Sequence, residues 1–238
     1  MPRALDVLVV CDDLRVGILL REQVRRAPHE NIRILTANAA GRPRAIFYAA
    51  LLRACATHPL VVMRLLKAGL LLWSHRPLDD PKLIRRVSAD IGLHASGAIY
   101  RRSFLDRFAI GLLNAHIGLL PRYRGRSVME WSILHGDETG ITVFLVDEGI
   151  DTGPIVHQRP IRIPDYCTDV TSAKSYLFSL DGELYREALE RLSDPGFEAA
   201  PQQPAAGVRF YRMSSLLTRH VSDTLVRRGF SHIETSPV

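Results

Sequence analysis

The chain has 238 residues, 47% hydrophobic and 24% charged, close to the average of folded globular domains, which excludes a disordered, collagen-like or disulfide-scaffold chain. At this length roughly 70% of the open chain's surface is buried on folding, enough for one full-sized core with a small appendage. The net charge is +6, and because Lys67, Lys82 and Lys174 are the only lysines among 31 basic residues, arginine carries it; an arginine-rich composition is the plain explanation, and a substrate bearing phosphate or carboxylate the sharper one.

In chain order, Leu5 to Val10 reads as a strand, Cys11-Asp12-Asp13 as a turn, and Val16, Leu19, Leu20 and Val24 as one face of a helix. Ile32, Ile34 and Leu35 form a second strand closed by Asn38 and Gly41. From Ala45 to Leu72 the pattern is helical and unusually apolar. Pro77 and Pro81 break it, a helix restarts over Lys82 to Val87, and Asp90 to Ala95 reads as a buried strand ending at Gly97. Strands separated by helices imply βαβ units and a mostly parallel sheet, an α/β Rossmann-like class. Ile110 to Asn114 is a further strand, followed by a loop marked by Gly118, Pro121 and Gly125 and a helix over Ser127 to His135 with Val128, Trp131 and Leu134 on one side. Strands follow at Ile141 to Val146 and Ile155 to Ile163. One helical repeat runs through Leu177, Leu180, Leu184, Ala188 and Leu192. Asp194 to Gly207, with Pro195, Pro201 and Pro204, reads as a linker. A strand, Val208 to Tyr211, and a helix from Ser214 or Ser215 to Arg228 stopped by Gly229 come after it. The expected organisation is a catalytic domain at 1–193, a linker at 194–207 and a small extension at 208–238.

Cys11, Cys55 and Cys167 lack Cys-x-x-Cys spacing, so no metal site is expected and a reducing, cytoplasmic setting fits. The greasiest stretch, Pro59 to Trp73, is 15 residues long and contains Arg64 and Lys67, too short and too charged to span a bilayer. A helix packed on the core is the leading reading and a surface-lying membrane helix the minor one; the expectation is no membrane partner. The positive charge is spread without aromatic interleaving, so no nucleic-acid partner is expected either.

No Gly-x-Gly-x-x-Gly follows the first strand, and no Walker motif or Gly-x-Ser-x-Gly occurs, which removes dinucleotide, P-loop and serine-hydrolase readings. Chemistry-bearing residues concentrate instead in Asn114-Ala115-His116, Leu119-Leu120-Pro121-Arg122-Tyr123-Arg124-Gly125 and Asp147-Glu148-Gly149-Ile150-Asp151-Thr152-Gly153-Pro154. Asn114 and His116, two apart at a strand end, point to the same side, and ligands of parallel α/β sheets sit beyond the strands' carboxyl ends, where the Asp147 to Asp151 loop also falls. Singly, a strand-end histidine or a loop aspartate is more often structural.

Together these motifs resemble the 10-formyltetrahydrofolate-dependent formyltransferase family, over most of residues 5 to 190. The resemblance implies a catalytic triad of Asn114, His116 and Asp151 and transfer of a formyl group from 10-formyltetrahydrofolate to an amine. It assigns Asn114 as donor to the formyl oxygen. His116 moves the proton. Asp151 holds His116 and accepts a proton through water. It further implies a pterin pocket under the Asp147 to Asp151 loop, read by backbone groups there (Asp147, Gly149, Ile150) and in Ile99-Tyr100-Arg101-Arg102, with Arg101 and Arg102 as partners for the folate tail. Arg122, Tyr123, Arg124 and Gly125 line the acceptor approach.

Relatives usually have His-Pro-Ser where this chain has His116-Ile117-Gly118, which predicts a looser loop, and many have histidine at the position of Phe144. Arg53 to Trp73 has no counterpart and reads as an inserted helix. Asp12 and Asp13 after the first strand would repel the phosphate of a glycinamide ribonucleotide. The residues after Asp151 are too few for a tRNA-handling second domain. By resemblance, the tail with Phe210 and Tyr211 favours a nucleotide-linked amino sugar as acceptor and pairs two subunits as a homodimer. A hydroxyornithine acceptor, 10-formyltetrahydrofolate hydrolysis and a lapsed folate-binding module are the alternatives.

Overall fold

The structure, a computed structural model, describes residues 3–26, 29, 32–38, 43–96 and 98–231. Gly41 and Gly97, expected to close strands, and residues 232–238 of the expected extension lie outside the described residues. In chain order the elements are β1 (Val7–Cys11), α1 (Leu14–Val24), β2 (Arg33–Ala37), α2 (Arg44–Thr57), α3 (Pro59–Lys67), β3 (Leu71–Ser74), α4 (Pro81–Ile84), β4 (Ala89–Ala95), α5 (Arg102–Leu105), β5 (Phe108–His116), β6 (Tyr123–Gly125), α6 (Val128–His135), β7 (Gly140–Leu145), β8 (Ile155–Pro160), α7 (Val170–Ser179), α8 (Asp181–Leu192), β9 (Val208–Phe210) and α9 (Ser215–Ser231). The main sheet has the order β3-β2-β1-β4-β5-β7-β8, and β6 and β9 form a separate pair. It is mostly parallel, the fold class expected.

The chain forms two compact units: Met1–Asn114 with Leu145–Glu148 and Tyr185–Glu198, and Ala115–Phe144 with Gly149–Leu184 and Ala199–Val238. In the first, β2, β1 and β4 pair in parallel, Val9 opposite Ile34 on one side and Leu93 on the other. Every residue of β1 is buried, as a run of Val and Leu covered on both faces must be. The core on one side joins Leu8, Val10 and Leu35 to Tyr100, Phe104, Phe108 and Leu112. Asp13 caps α1, its carboxylate accepting from Arg15 N at 2.9 Å and pairing with the Arg15 guanidinium at 2.7 Å. Cys11 is fully buried, and desolvation pushes its thiol up to about 12, which leaves it inert.

The apolar stretch from Ala45 to Leu72 is not one helix. Proline at 59 lacks an N–H and drives the preceding residue out of the helical region; His58 sits at φ −134°, ψ 51°, and α2 and α3 meet at 104°. The inserted helix expected over Arg53 to Trp73 is thus the end of α2, then α3 and most of an edge strand, β3, paired in parallel with β2. Among the described residues no single helix is long and apolar enough to cross a membrane.

In the second unit β7 and β8 pair antiparallel, and β8 stops at Pro160 rather than Ile163. The helical repeat from Leu177 to Leu192 is two helices, broken where Leu180 caps α7. Helix α9 runs through Gly229 to Ser231. The segment expected as a linker makes fixed contacts in this unit: Ala200 bridges Ile155, and the Gln202 amide donates to the carbonyls of Asp151 at 3.2 Å and Gly153 at 2.6 Å. The strand expected at Val208 to Tyr211 pairs in parallel with β6, Tyr123 opposite Val208 and Gly125 opposite Phe210.

Candidate active site

Strand β5 extends through His116, so the Asn114-Ala115-His116 motif forms its last three residues. The His116 ring is buried, and its two nitrogens have different partners. Nε2 lies 2.8 Å from the Tyr123 carbonyl oxygen. A carbonyl only accepts, so Nε2 carries a proton and donates. Nδ1 faces Asp151 Oδ2 at 3.7 Å and is the nitrogen left to gain or lose a proton. The ring also meets Phe144 edge to face, centroids 6.4 Å apart, so phenylalanine at this position gives the imidazole an apolar wall in place of a second titratable ring.

Asp151 adopts φ 54°, a left-handed conformation uncommon for a non-glycine residue and held only where its surroundings over-determine it. Its Oδ2 accepts from Gly125 N at 2.8 Å, and its carbonyl accepts from Gln202. The backbone of β6 therefore touches both partners: the Tyr123 carbonyl fixes His116 and the Gly125 amide fixes Asp151. Gly125 itself has φ 101°, and a Cβ there would run into the Phe210 carbonyl oxygen, so glycine is required where β9 pairs.

The loop from Ile117 to Arg122 is not loose, contrary to the expectation from its missing serine. Gly118 N bonds the His116 carbonyl at 2.8 Å. Thr142, fully buried, donates to the Gly118 carbonyl at 2.6 Å and accepts from Leu120 N at 3.2 Å. Gln158 donates to the Leu120 carbonyl and to Thr142 Oγ1, both at 2.8 Å. A Cβ on Gly118 would meet Val128 at 2.9 Å, His116 Nε2 at 3.0 Å and the Tyr123 carbonyl at 3.1 Å. The glycine lets the loop close on the histidine. The Leu120-Pro121 peptide is cis.

The remaining expected residues fall as follows. Tyr123 is only 2% exposed, so its ring belongs to the interior and not to the open side of the loop. It stacks on Phe210 at 5.1 Å, and its hydroxyl donates to Asp137 and meets His135 Nδ1 at 3.0 Å. Burial and the Asp137 carboxylate push this hydroxyl up to about 12, keeping it protonated. Arg122 is paired with Asp137 at 2.7 Å, and Arg124 donates to the Gly207 carbonyl at 3.1 Å. Trp131 stacks on Phe210 at 5.4 Å and donates to the Tyr211 carbonyl at 2.9 Å, so β9 supplies its partner.

Of the residues named for the cofactor, Ile99 is exposed and the Tyr100 ring is in the core, its hydroxyl 2.6 Å from His94 Nδ1 and 3.1 Å from Ser96 Oγ. Arg101 pairs with Asp79 at 3.4 Å and Arg102 with Asp106 at 2.8 Å, both largely exposed. Asp147 and Ile150 are half-buried and Gly149 exposed. Residues missed from the sequence are Thr142, Gln158 and Gln202. The first two lie on strands with nothing in their pattern to mark them, and Gln202 lies inside the expected linker. Among the described residues no group of His, Cys, Asp or Glu could hold a metal ion.

The strand end thus carries a buried histidine backed by an aspartate, with no serine or cysteine nucleophile motif beside it. Residues 75–189 match the formyl transferase family. In sequence the chain is similar to the methionyl-tRNA formyltransferase of Thermosynechococcus vestitus, 37% identical over 146 residues, 59% of this chain and 43% of that protein. The chain spans less than two thirds of the length of the methionyl-tRNA formyltransferases it matches. In fold it is similar to a 4-N formyltransferase from Francisella tularensis, TM-score 0.60 at 14% identity over 94% of this chain and 87% of that one. A second similar fold is an N-formyltransferase from Helicobacter canadensis solved with folinic acid and dTDP-3-aminofucose, TM-score 0.59 at 15% identity over 93% and 80%.

Proposed function

We propose that the protein transfers the formyl group of 10-formyltetrahydrofolate to the amine of a small substrate, and that this substrate is a nucleotide-linked amino sugar. The observation that carries the chemistry is the division of labour on His116: Nε2 is committed to the Tyr123 carbonyl, while Nδ1 faces Asp151. The folate supplies the activated formyl group. The pterin is assigned to the Asp147 to Asp151 loop by resemblance to the formyltransferase family. No metal is required.

Asn114 donates its side-chain N–H to the formyl oxygen, where negative charge grows as the amine attacks. His116 takes the amine's proton at Nδ1, and Asp151 stabilises the resulting charge and orients the ring. The proton then passes to the departing folate nitrogen. Asp151 can do this only because Gly125 N and Gln202 hold it in its left-handed conformation.

The amino-sugar reading is supported by the tail, where β9 pairs with β6, and by the H. canadensis enzyme, similar in fold, which was solved with dTDP-3-aminofucose. A glycinamide ribonucleotide is disfavoured because the Asp13 carboxylate already occupies the amino end of α1, where a phosphate would sit. A methionyl-tRNA acceptor is the second reading, favoured by the sequence relatives. We also infer a reducing, cytoplasmic setting from three unpaired thiols, and a homodimer through the tail, where Val208, Tyr211 and Leu216 are exposed; a monomer by light scattering overturns the latter. The acceptor is tested by incubating the protein and 10-formyltetrahydrofolate with nucleotide-linked 3- and 4-amino sugars, hydroxyornithine, glycinamide ribonucleotide or methionyl-tRNA. A gain of one CO on an amino sugar alone supports the proposal, and formylation of methionyl-tRNA alone replaces it with the second reading.

A further inference from the structure

The bent pair α2–α3 exposes apolar surface that the fold does not use. Of the 14 residues of α2, eleven of them apolar, only Phe47 and Ala54 are buried. In α3, Val62 and Leu65 face inward. Ile46, Leu52, Leu60, Met63 and Leu66 are 46–69% exposed, and Trp73 on the following edge strand is 44% exposed. Tyr48 meets Trp73 edge to face at 6.2 Å, so the two aromatic rings form one rim of this surface. A helix apolar on nearly all sides is either enclosed by protein or in contact with lipid.

The charge around it says what covers it. There is no aspartate or glutamate between Glu30 and Asp79, while Arg44, Arg53, Arg64 and Lys67 are all exposed on the two helices. A second copy of this chain would bring four cations against four across a two-fold axis. An anionic surface would neutralise them. Exposed Leu, Ile and Met flanked by Trp, Tyr and unopposed cations is the composition that settles at the headgroup boundary of an anionic bilayer. The surface also lies outside residues 75–189, the part shared with the formyl transferase family.

We propose that the α2–α3 elbow is a peripheral docking surface for an anionic phospholipid membrane, with Leu52, Leu60 and Leu66 inserting at the headgroup boundary and Arg53, Arg64 and Lys67 contacting lipid phosphates. This departs from the expectation of no membrane partner, and it stands apart from the choice of acceptor. The test is co-sedimentation of the full chain with vesicles of phosphatidylcholine alone or with about one third phosphatidylglycerol. Binding is expected only with phosphatidylglycerol, weakening about fivefold for each of Arg64→Glu and Lys67→Glu and falling steeply with salt. Trp73 emission should shift to the blue on binding, a shift absent in Trp73→Phe. Leu52→Glu/Leu60→Glu should abolish binding, with the melting temperature and catalytic rate of the wild type. No sedimentation with anionic vesicles, equal binding to neutral ones, or undiminished binding of the double variant overturns the proposal. So does self-association of the wild type that the double variant loses, which would assign the surface to a second copy.

Discussion

At the residue scale the site depends on His116 and Asp151 being fixed by backbone rather than by other side chains. His116→Ala removes the proton carrier, and a fall in kcat of about 10²–10⁴ is expected, measured as formyl transfer at saturating acceptor. Asn114→Ala should lower kcat by about 10²–10³ with little change in KM. Should both variants keep the wild-type rate, the catalytic assignment is wrong. Gly118→Ala tests the loop. Its Cβ would press on Val128, His116 Nε2 and the Tyr123 carbonyl, so a loss of about 1–3 kcal/mol in urea unfolding and a fall in kcat from the displaced imidazole are expected. The motifs marked His116 and Asp151 because two short segments carry them with the chemistry intact. They could not show which imidazole nitrogen faces the carboxylate, since Tyr123 supplies that answer through a carbonyl, a group every residue has.

At the element scale, β6 and β9 act as one device. The stack of Tyr123, Phe210 and Trp131 holds the two short strands together, and β6 holds His116 and Asp151. Phe210→Ala should cost about 2 kcal/mol, less than full burial would give because the ring is half-exposed, and should lower kcat although Phe210 touches neither His116 nor Asp151. A second prediction concerns the start of α8. Asp181 is half-buried with its Oδ1 shut off from solvent and without a hydrogen-bond partner, and desolvation raises its carboxyl to about 8. Between the ordinary carboxylate range and pH 8 the unfolded chain has lost this proton while the folded chain keeps it, so stability declines as pH rises through that window and levels off above it. Asp181→Asn should melt with the wild type near pH 4 and about 2–4 °C or more above it at pH 8. A constant difference at all pH values would show that Asp181 is not the titrating group. The parallel strands were legible from their Val and Leu runs, and α6 from its length. The run from Ala45 to Leu72 was not, because apolar residues at every position erase the periodicity that separates helix from strand; only Pro59 and Gly69 signalled the breaks that make room for β3. Trp131's partner, Phe210, lies 79 positions away in the sequence and could not be read from the helix alone.

At the scale of the whole molecule, the sequence pattern suggested a catalytic domain, a linker and a tail. The compact units instead interleave: the chain passes between them at Asn114, Phe144, Glu148, Leu184 and Glu198. Composition cannot reveal this, since a proline-rich segment such as 194–207 looks the same whether it spans solvent or, as through Gln202, pins the loop carrying Asp151 and Gly153. The resemblance to formyltransferases was legible because Asn-x-His, Leu-Leu-Pro-x-Tyr-Arg-Gly and Gly-x-Asp-Thr-Gly-Pro are dense in groups that bind and move protons. The acceptor was less so, because the residues proposed to meet it, Arg122 and Arg124, are engaged with Asp137 and the Gly207 carbonyl, and their charge alone fits any anionic substrate. The central claim is that this site passes a formyl group to an amine. The most direct test follows tetrahydrofolate release from 10-formyltetrahydrofolate, with and without a nucleotide-linked amino sugar, for the wild type and Asp151→Asn. The expected result is release that requires the amine, matches the formamide formed one for one, and falls at least a hundredfold in Asp151→Asn. Release of formate at the same rate without any amine, or a rate unaffected by Asp151→Asn, would contradict it.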